Sequence, residues 1–121
     1  MRTVGLILLP FLMWAHHGWQ EFHESKEITL NGVVTDFHFV NPHCVIEFEA
    51  ANADKPTGKA SWQAEFSSPG PMARKGWTAA TLQPGDKIVI RGHPGKDGVR
   101  AVHVTLIRLQ DGREFKINDG R

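Results

Sequence analysis

His16 and His17 stand directly behind a short apolar run that ends at Ala15, and that junction holds the sharpest chemistry in the chain. Met1 to Ala15 reads as an export signal. Arg2 is its positive end, Val4 to Met13 is apolar except for Gly5 and Pro10, and Ala15 is small enough to precede a cut. The apolar run falls short of the roughly 20 residues that span a bilayer. A cut after Ala15 makes His16 the first residue of the mature chain. Its free amine and its imidazole then chelate one metal ion in a single ring. One further imidazole completes a T-shaped set of three nitrogens, the arrangement called a histidine brace. Nitrogen donors in a tetragonal set suit copper(II), the tightest divalent binder of its row. An α-amine with a pKa of about 8 yields its proton to a metal near neutral pH. A cut one residue away abolishes the brace at His16.

The third nitrogen has three candidates: His17, His43 and His93. His17 is awkward, because adjacent residues of an extended chain point to opposite faces. His43 follows the Asn41-Pro42 turn at the start of a strand, and His93 sits in a loop ahead of Pro94. Loops and strand ends are where a barrel presents functional groups. A plainer reading stands beside this one. Any chain that begins His-His takes up copper(II) in a test tube, His43 could serve only to cap its turn, and His93 only to shape its loop. His23, His38 and His103 show no ligand spacing and read as surface or sheet-face residues.

Cys44 could offer a soft thiolate to copper(I), but it alternates with Ile46 and Phe48 and so falls on an apolar face, where a free cysteine behaves as a small hydrophobe. Trp62, Phe66 and Trp77 could line a groove for a ligand, since barrels of the OB type stack bases or sugars on exposed aromatics. In small β domains tryptophan more often serves the core. Glu47 and Glu49 lie two apart on one strand face, the pattern of a solvated edge. No Ser-His-Asp order and no phosphate-cradling glycine loop is present, because Gly92, Gly95 and Gly98 fall within a hairpin. Little therefore points to an enzyme.

Composition narrows the remaining classes. With 121 residues the chain makes one domain. The formal net charge is +1, and without Arg2 the mature chain is near neutral. That argues against a dedicated nucleic-acid binder and against electrostatic docking on anionic lipid. One cysteine makes no internal disulfide, so packing must hold the fold.

The elements that must position these groups are strands. Residues 16–27 form an N-terminal extension, and 28–121 the domain proper. Ile28 to Phe39 is a long β-rich run, with Gly32 marking a bulge or sharp bend. His43 to Glu49 alternates with a period of two, Asn52 to Gly58 is a polar loop, and Lys59 to Phe66 is a third strand. Ser68 and Pro69 start a short helix closed by Gly76, after which Trp77 packs back. Leu82 to Asp86 is a turn, Lys87 to Arg91 a fourth strand, and His93 to Gly98 a hairpin loop. Val99 to Leu109 is a fifth strand with Val102, Val104 and Leu106 on one face. Asp111-Gly112 then turns into a return strand, Glu114 to Ile117. Three strands, a helix, then two or three strands predict an all-β, OB-like five- to six-stranded barrel with a short helix between strands three and four. An open β-sandwich is the competing architecture.

Seven short motifs recur in a recognisable order: His16-His17, Asn41-Pro42-His43, Ser68-Pro69, Gly76-Trp77, Leu82-Gln83-Pro84-Gly85-Asp86, Gly92-His93-Pro94 and Asp111-Gly112-Arg113. Together they resemble a family of small exported bacterial proteins known only as a domain of unknown function, number 6152. The likeness covers nearly all of the mature chain. It departs from the family pattern after the second histidine, where Gly18-Trp19 stands in place of Ser-Phe, and Cys44 is not part of that pattern. The resemblance implies export and a single β domain, and carries no established reaction. The expectation is thus a periplasmic or secreted binding module without a membrane anchor after processing, taking copper through His16 with His17, His43 or His93. The alternative is an interaction domain whose groove, at Trp62, Phe66 and Trp77, holds a peptide, a glycan or a protein partner. A copper oxidase built on the brace is a third and weaker option.

Overall fold

The computed structural model describes residues 21–52 and 55–117. Six strands and one short helix follow in order: β1 (Ile28–His38), β2 (Val45–Asn52), β3 (Lys55–Glu65), α1 (Pro69–Arg74), β4 (Lys87–Pro94), β5 (Ala101–Arg108) and β6 (Glu114–Lys116). β3, β2, β1, β4 and β5 pair antiparallel in that spatial order. A parallel pairing of β3 with β5, Gln63–Glu65 against Ala101–His103, closes the sheet into a five-stranded barrel. β6 adds to the far end of β5. This circuit, with its helix between the third and fourth strands, is the OB-like barrel that the order of elements predicts.

The long first strand bends, but not at Gly32. Gly32 pairs in regular register with Ala50 on β2 and with Ile88 on β4. A side chain there would collide with the ring of Phe48, which is 1% exposed. Gly32 therefore makes room for Phe48 in the core. The bulge falls three residues later: Val34 pairs with Phe48 and Asp36 with Glu47, leaving Thr35 as the extra residue. One extra residue in a strand of period two exchanges the inward and outward faces. Ile28, Leu30 and Val34 point inward before it, and Phe37 and Phe39 after it.

β5 repeats the device. Gly92 pairs with Val104 and Arg91 with Leu106, so Thr105 is the extra residue. Val102 and Val104 face the core before it, and Ile107 and Leu109 after it. The expected face of Val102, Val104 and Leu106 is thus broken at its last member. β4 also runs on to Pro94, past the Arg91 at which its apolar alternation stops. At Gly92 the backbones come so close that a Cβ would collide with the His103 carbonyl and lie 2.7 Å from Val102 Cγ1. The polar loop expected at Asn52 to Gly58 is shorter than its composition suggests, because Lys55 already pairs with Asn52.

Packing follows from these phases. Ile46, Phe48, Ile90, Val102, Val104 and Ile107 fill the barrel, and α1 with its following turn adds Met72, Trp77 and Leu82. Pro69 suits the first turn of α1, and Gly76, at a φ of 96°, supplies the left-handed residue that ends it. Trp77 meets Phe37, Phe66 and Phe115 edge-on at centroid distances of 5.7, 5.6 and 5.3 Å. Edge-on pairs of this kind add about 0.5–1.5 kcal/mol each beyond the area they bury. Gly92→Ala is expected to lower stability by about 1–3 kcal/mol, the usual cost of overpacking. A denaturant titration checks this, and a variant with an unchanged midpoint would contradict the close approach.

Candidate functional site

The predicted ligands fall into two groups. His16 and His17, with the export signal ahead of them, lie outside the described residues. His43 and His93 lie at opposite ends of a row on the outside of the barrel. His93 is directly opposite His103 across β4 and β5, and His103 is directly opposite Glu65 across β5 and β3. Opposed residues share a face, and this one is the outer face, because Ala64, Val102 and Val104 point inward between them. His43 Nδ1 lies 3.9 Å from Glu65 Oε1. The row His43, Glu65, His103, His93 therefore crosses the seam where the barrel closes. The sequence predicts His103 as a plain sheet-face residue. It is one, but the β3–β5 pairing that gives it significance joins segments some forty residues apart and leaves no local signal.

Glu65 points away from the core yet is only 5% exposed. Val45 and Ala101, its neighbours on that face, are buried as well. The segment ahead of β1 lies along the same side of the barrel. Phe22 stacks on the His103 ring at 5.4 Å. The His23 amide donates to the Pro94 carbonyl at 2.9 Å, and the Lys96 amide to the Glu21 carbonyl at 3.1 Å.

His93 belongs to strand β4 and not to the hairpin loop in which the sequence placed it, since the close approach at Gly92 carries the pairing through to Pro94. Its Nδ1 is 2.7 Å from the Lys26 carbonyl oxygen. A carbonyl only accepts, so Nδ1 carries the proton and, in the neutral ring, Nε2 keeps its lone pair. This is how proteins orient a ligating imidazole, with one nitrogen anchored and the other presented. Nε2 lies 3.9 Å from Glu24 Oε1.

The aromatic residues proposed for a groove are placed differently. Phe66 and Trp77 are each 2% exposed and present no ring to solvent, while Trp62 is half-buried against the core. The reason is the edge-on cluster around Trp77, which fills one end of the core. The indole nitrogens of Trp62 and Trp77 have no hydrogen-bond partner among the described residues.

Cys44 is fully buried, and burial pushes its thiol up to about 11. A thiol so raised stays protonated at neutral pH and is a poor metal ligand and nucleophile. Folding then favours the protonated form. Its contribution to stability is complete below the ordinary thiol range and is lost as pH rises towards 11. A disulfide reagent at pH 8 should accordingly leave Cys44 intact in the native protein and label it rapidly in denaturant. Fast native labelling would contradict the burial.

The circuit of strands and the outward-facing imidazoles define the class of this protein: a small OB-like barrel with a row of polar groups on the outside of its core. The chain belongs to the family described as "Family of unknown function (DUF6152)", which it matches over residues 6–103. The resemblance to that family is thereby borne out, with six of the seven motifs inside the matched span and Asp111-Gly112-Arg113 beyond it. No curated protein matches the chain. Among the described residues, no helix is long and apolar enough to cross a membrane.

Proposed function

We propose that the protein is an exported, non-catalytic binding module that takes copper(II) at a mature N-terminus beginning with His16, and that His93 supplies the third nitrogen. The observation that carries this reading is the placement of the segment following His17. From Glu21 to Lys26 it lies beside His93 and His103, and its Lys26 carbonyl fixes the His93 ring. His16 precedes Phe22 by six residues, a span of at most ~20 Å in extended chain. His16 is thus within reach of the row. His17 is the further donor on this reading, and His43, at the far end of the row beyond Glu65 and His103, is the alternative to His93 rather than its companion. The copper would be stored, sensed or passed on in the periplasm, in keeping with a signal cut after Ala15.

Native mass spectrometry on protein expressed with its own signal and recovered from the periplasm tests the proposal. A mass that starts at His16 and carries one copper is the expected result. His16→Ala, or one added N-terminal residue, should abolish stoichiometric copper. His93→Ala should weaken it by about tenfold or more, as loss of even an outer-shell partner does. A chain that starts elsewhere, or that takes up copper weakly and without stoichiometry, would overturn the reading.

A further inference from the structure

The bulge at Thr35 sets up a second group of donor atoms, apart from the histidine row. Without it, Asp36 would follow Val34 inward. With it, Asp36 and His38 turn outward on β1 and meet Glu47 on β2. Asp36 stands directly opposite Glu47 in the register. Two carboxylates so opposed repel each other, and the arrangement calls for a positive charge between them. His38, two residues along the same face, reaches into that place. Its Nε2 lies 2.7 Å from Glu47 Oε2 and 3.4 Å from Asp36 Oδ2. The other Asp36 oxygen, Oδ1, accepts the Phe37 amide at 2.9 Å, which holds the carboxylate with Oδ2 turned towards His38. One donor atom from each of the three side chains lies within 4.8 Å of the other two.

We propose that Asp36, His38 and Glu47 form a divalent-cation site, best matched to zinc(II), that clasps β1 to β2. One imidazole nitrogen and two carboxylate oxygens are a donor set zinc accepts, and three protein ligands leave a fourth position for water or for a donor from another molecule. With bonds of about 2.0–2.2 Å, tetrahedral donors stand roughly 3.2–3.6 Å apart. The Asp36–His38 spacing meets this directly, and Glu47 must withdraw by less than about 1 Å. The side chains of Asp36, His38 and Glu47 are 59, 29 and 35% exposed, so an ion can enter and the carboxylates can adjust. The site shares no ligand with the N-terminal copper site and does not depend on it. Val45, which pairs with His38 on one side and Glu65 on the other, stands between the two sets.

The test is zinc(II) titration of the full mature chain carrying His16→Ala and His17→Ala, followed by calorimetry and by the ring-nitrogen signals of His38. One zinc per chain is expected, with the His38 Nε2 resonance shifting in step. Asp36→Asn and Glu47→Gln should each weaken zinc by about tenfold or more, with unchanged circular dichroism in chelator. No uptake by the parent, uptake that leaves the His38 signals unmoved, or folded carboxylate variants that bind as tightly would each overturn the proposal. The His38 signals in the parent decide the matter even if a variant fails to fold. Copper(II) outranks zinc at most nitrogen and oxygen sites, so copper is left out of this titration. Loss of the N-terminal copper with zinc uptake intact, or the reverse, shows which of the two proposals has failed.

Discussion

Five short strands close into a barrel only when the longer ones bend sharply, because strand tilt and stagger are tied to strand number. Two of the register shifts fall at threonines, Thr35 in β1 and Thr105 in β5, each an unmatched residue in its ladder, and a third falls between Ala51 and Asn52 in the β2–β3 ladder. Much else in the fold is arranged around the two threonines. At Thr35 the turn before β4 takes over: the Val34 amide donates to the Asp86 carbonyl, and the Gly85 amide to the Val34 carbonyl. Beyond it β1 leaves β4 and continues with β2 alone. At Thr105 the carbonyl accepts the Ile117 amide, which seats the C-terminal strand, and the single hydroxyl proton is shared between Glu27 Oε2 at 3.0 Å and the Arg91 carbonyl at 3.2 Å. Each bulge thus serves as a branch point as well as a bend.

The core responds to the same shifts of phase. Phe37 and Phe39 are core residues only because Thr35 has reversed the strand, and Phe37 then joins the ring cluster around Trp77. Cys44, just ahead of β2, and Ile46 on β2 are fully buried. Glycine at 32 and at 92 is required by close approach rather than by turn geometry: one position admits the Phe48 ring and the other admits the β5 backbone. The interior is consequently filled with aliphatic and aromatic side chains. Among the described core residues the titratable group is Cys44, which burial keeps protonated, and the imidazoles and carboxylates of interest lie outside.

The outer face carries two separate sets of donors. One is the imidazole and carboxylate row across the seam, with Phe22 stacked on it. The other is the Asp36, His38 and Glu47 group on β1 and β2. A histidine that pairs with a carboxylate is often no more than a surface contact worth little in stability. What distinguishes these is their support. His93 is anchored by a main-chain carbonyl, and Asp36 by a main-chain amide. Such second contacts fix which atom each side chain presents.

Much of the architecture was legible in the residues themselves. Alternation marked β2 and β5, Pro69 and Gly76 bracketed α1, Asp111-Gly112 marked the last hairpin, and the order of elements indicated the barrel. These signals are local, since they express the period of a strand or the φ that a turn demands. The exchange of phase at Thr35 was also present, in the passage from Ile28, Leu30 and Val34 to Phe37 and Phe39. It was misplaced to Gly32 because glycine is the commoner mark of a bulge. The site was much less legible. Sequence singled out His43 and His93 by their neighbouring prolines and turns, and could not say that Glu65 and His103 lie between them. Nor could it show that Asp36 and His38 meet Glu47 across a hairpin. Those meetings are set by register and by the parallel closure of β3 on β5, which depend on how distant segments pack and have no counterpart in the order of residues along the chain.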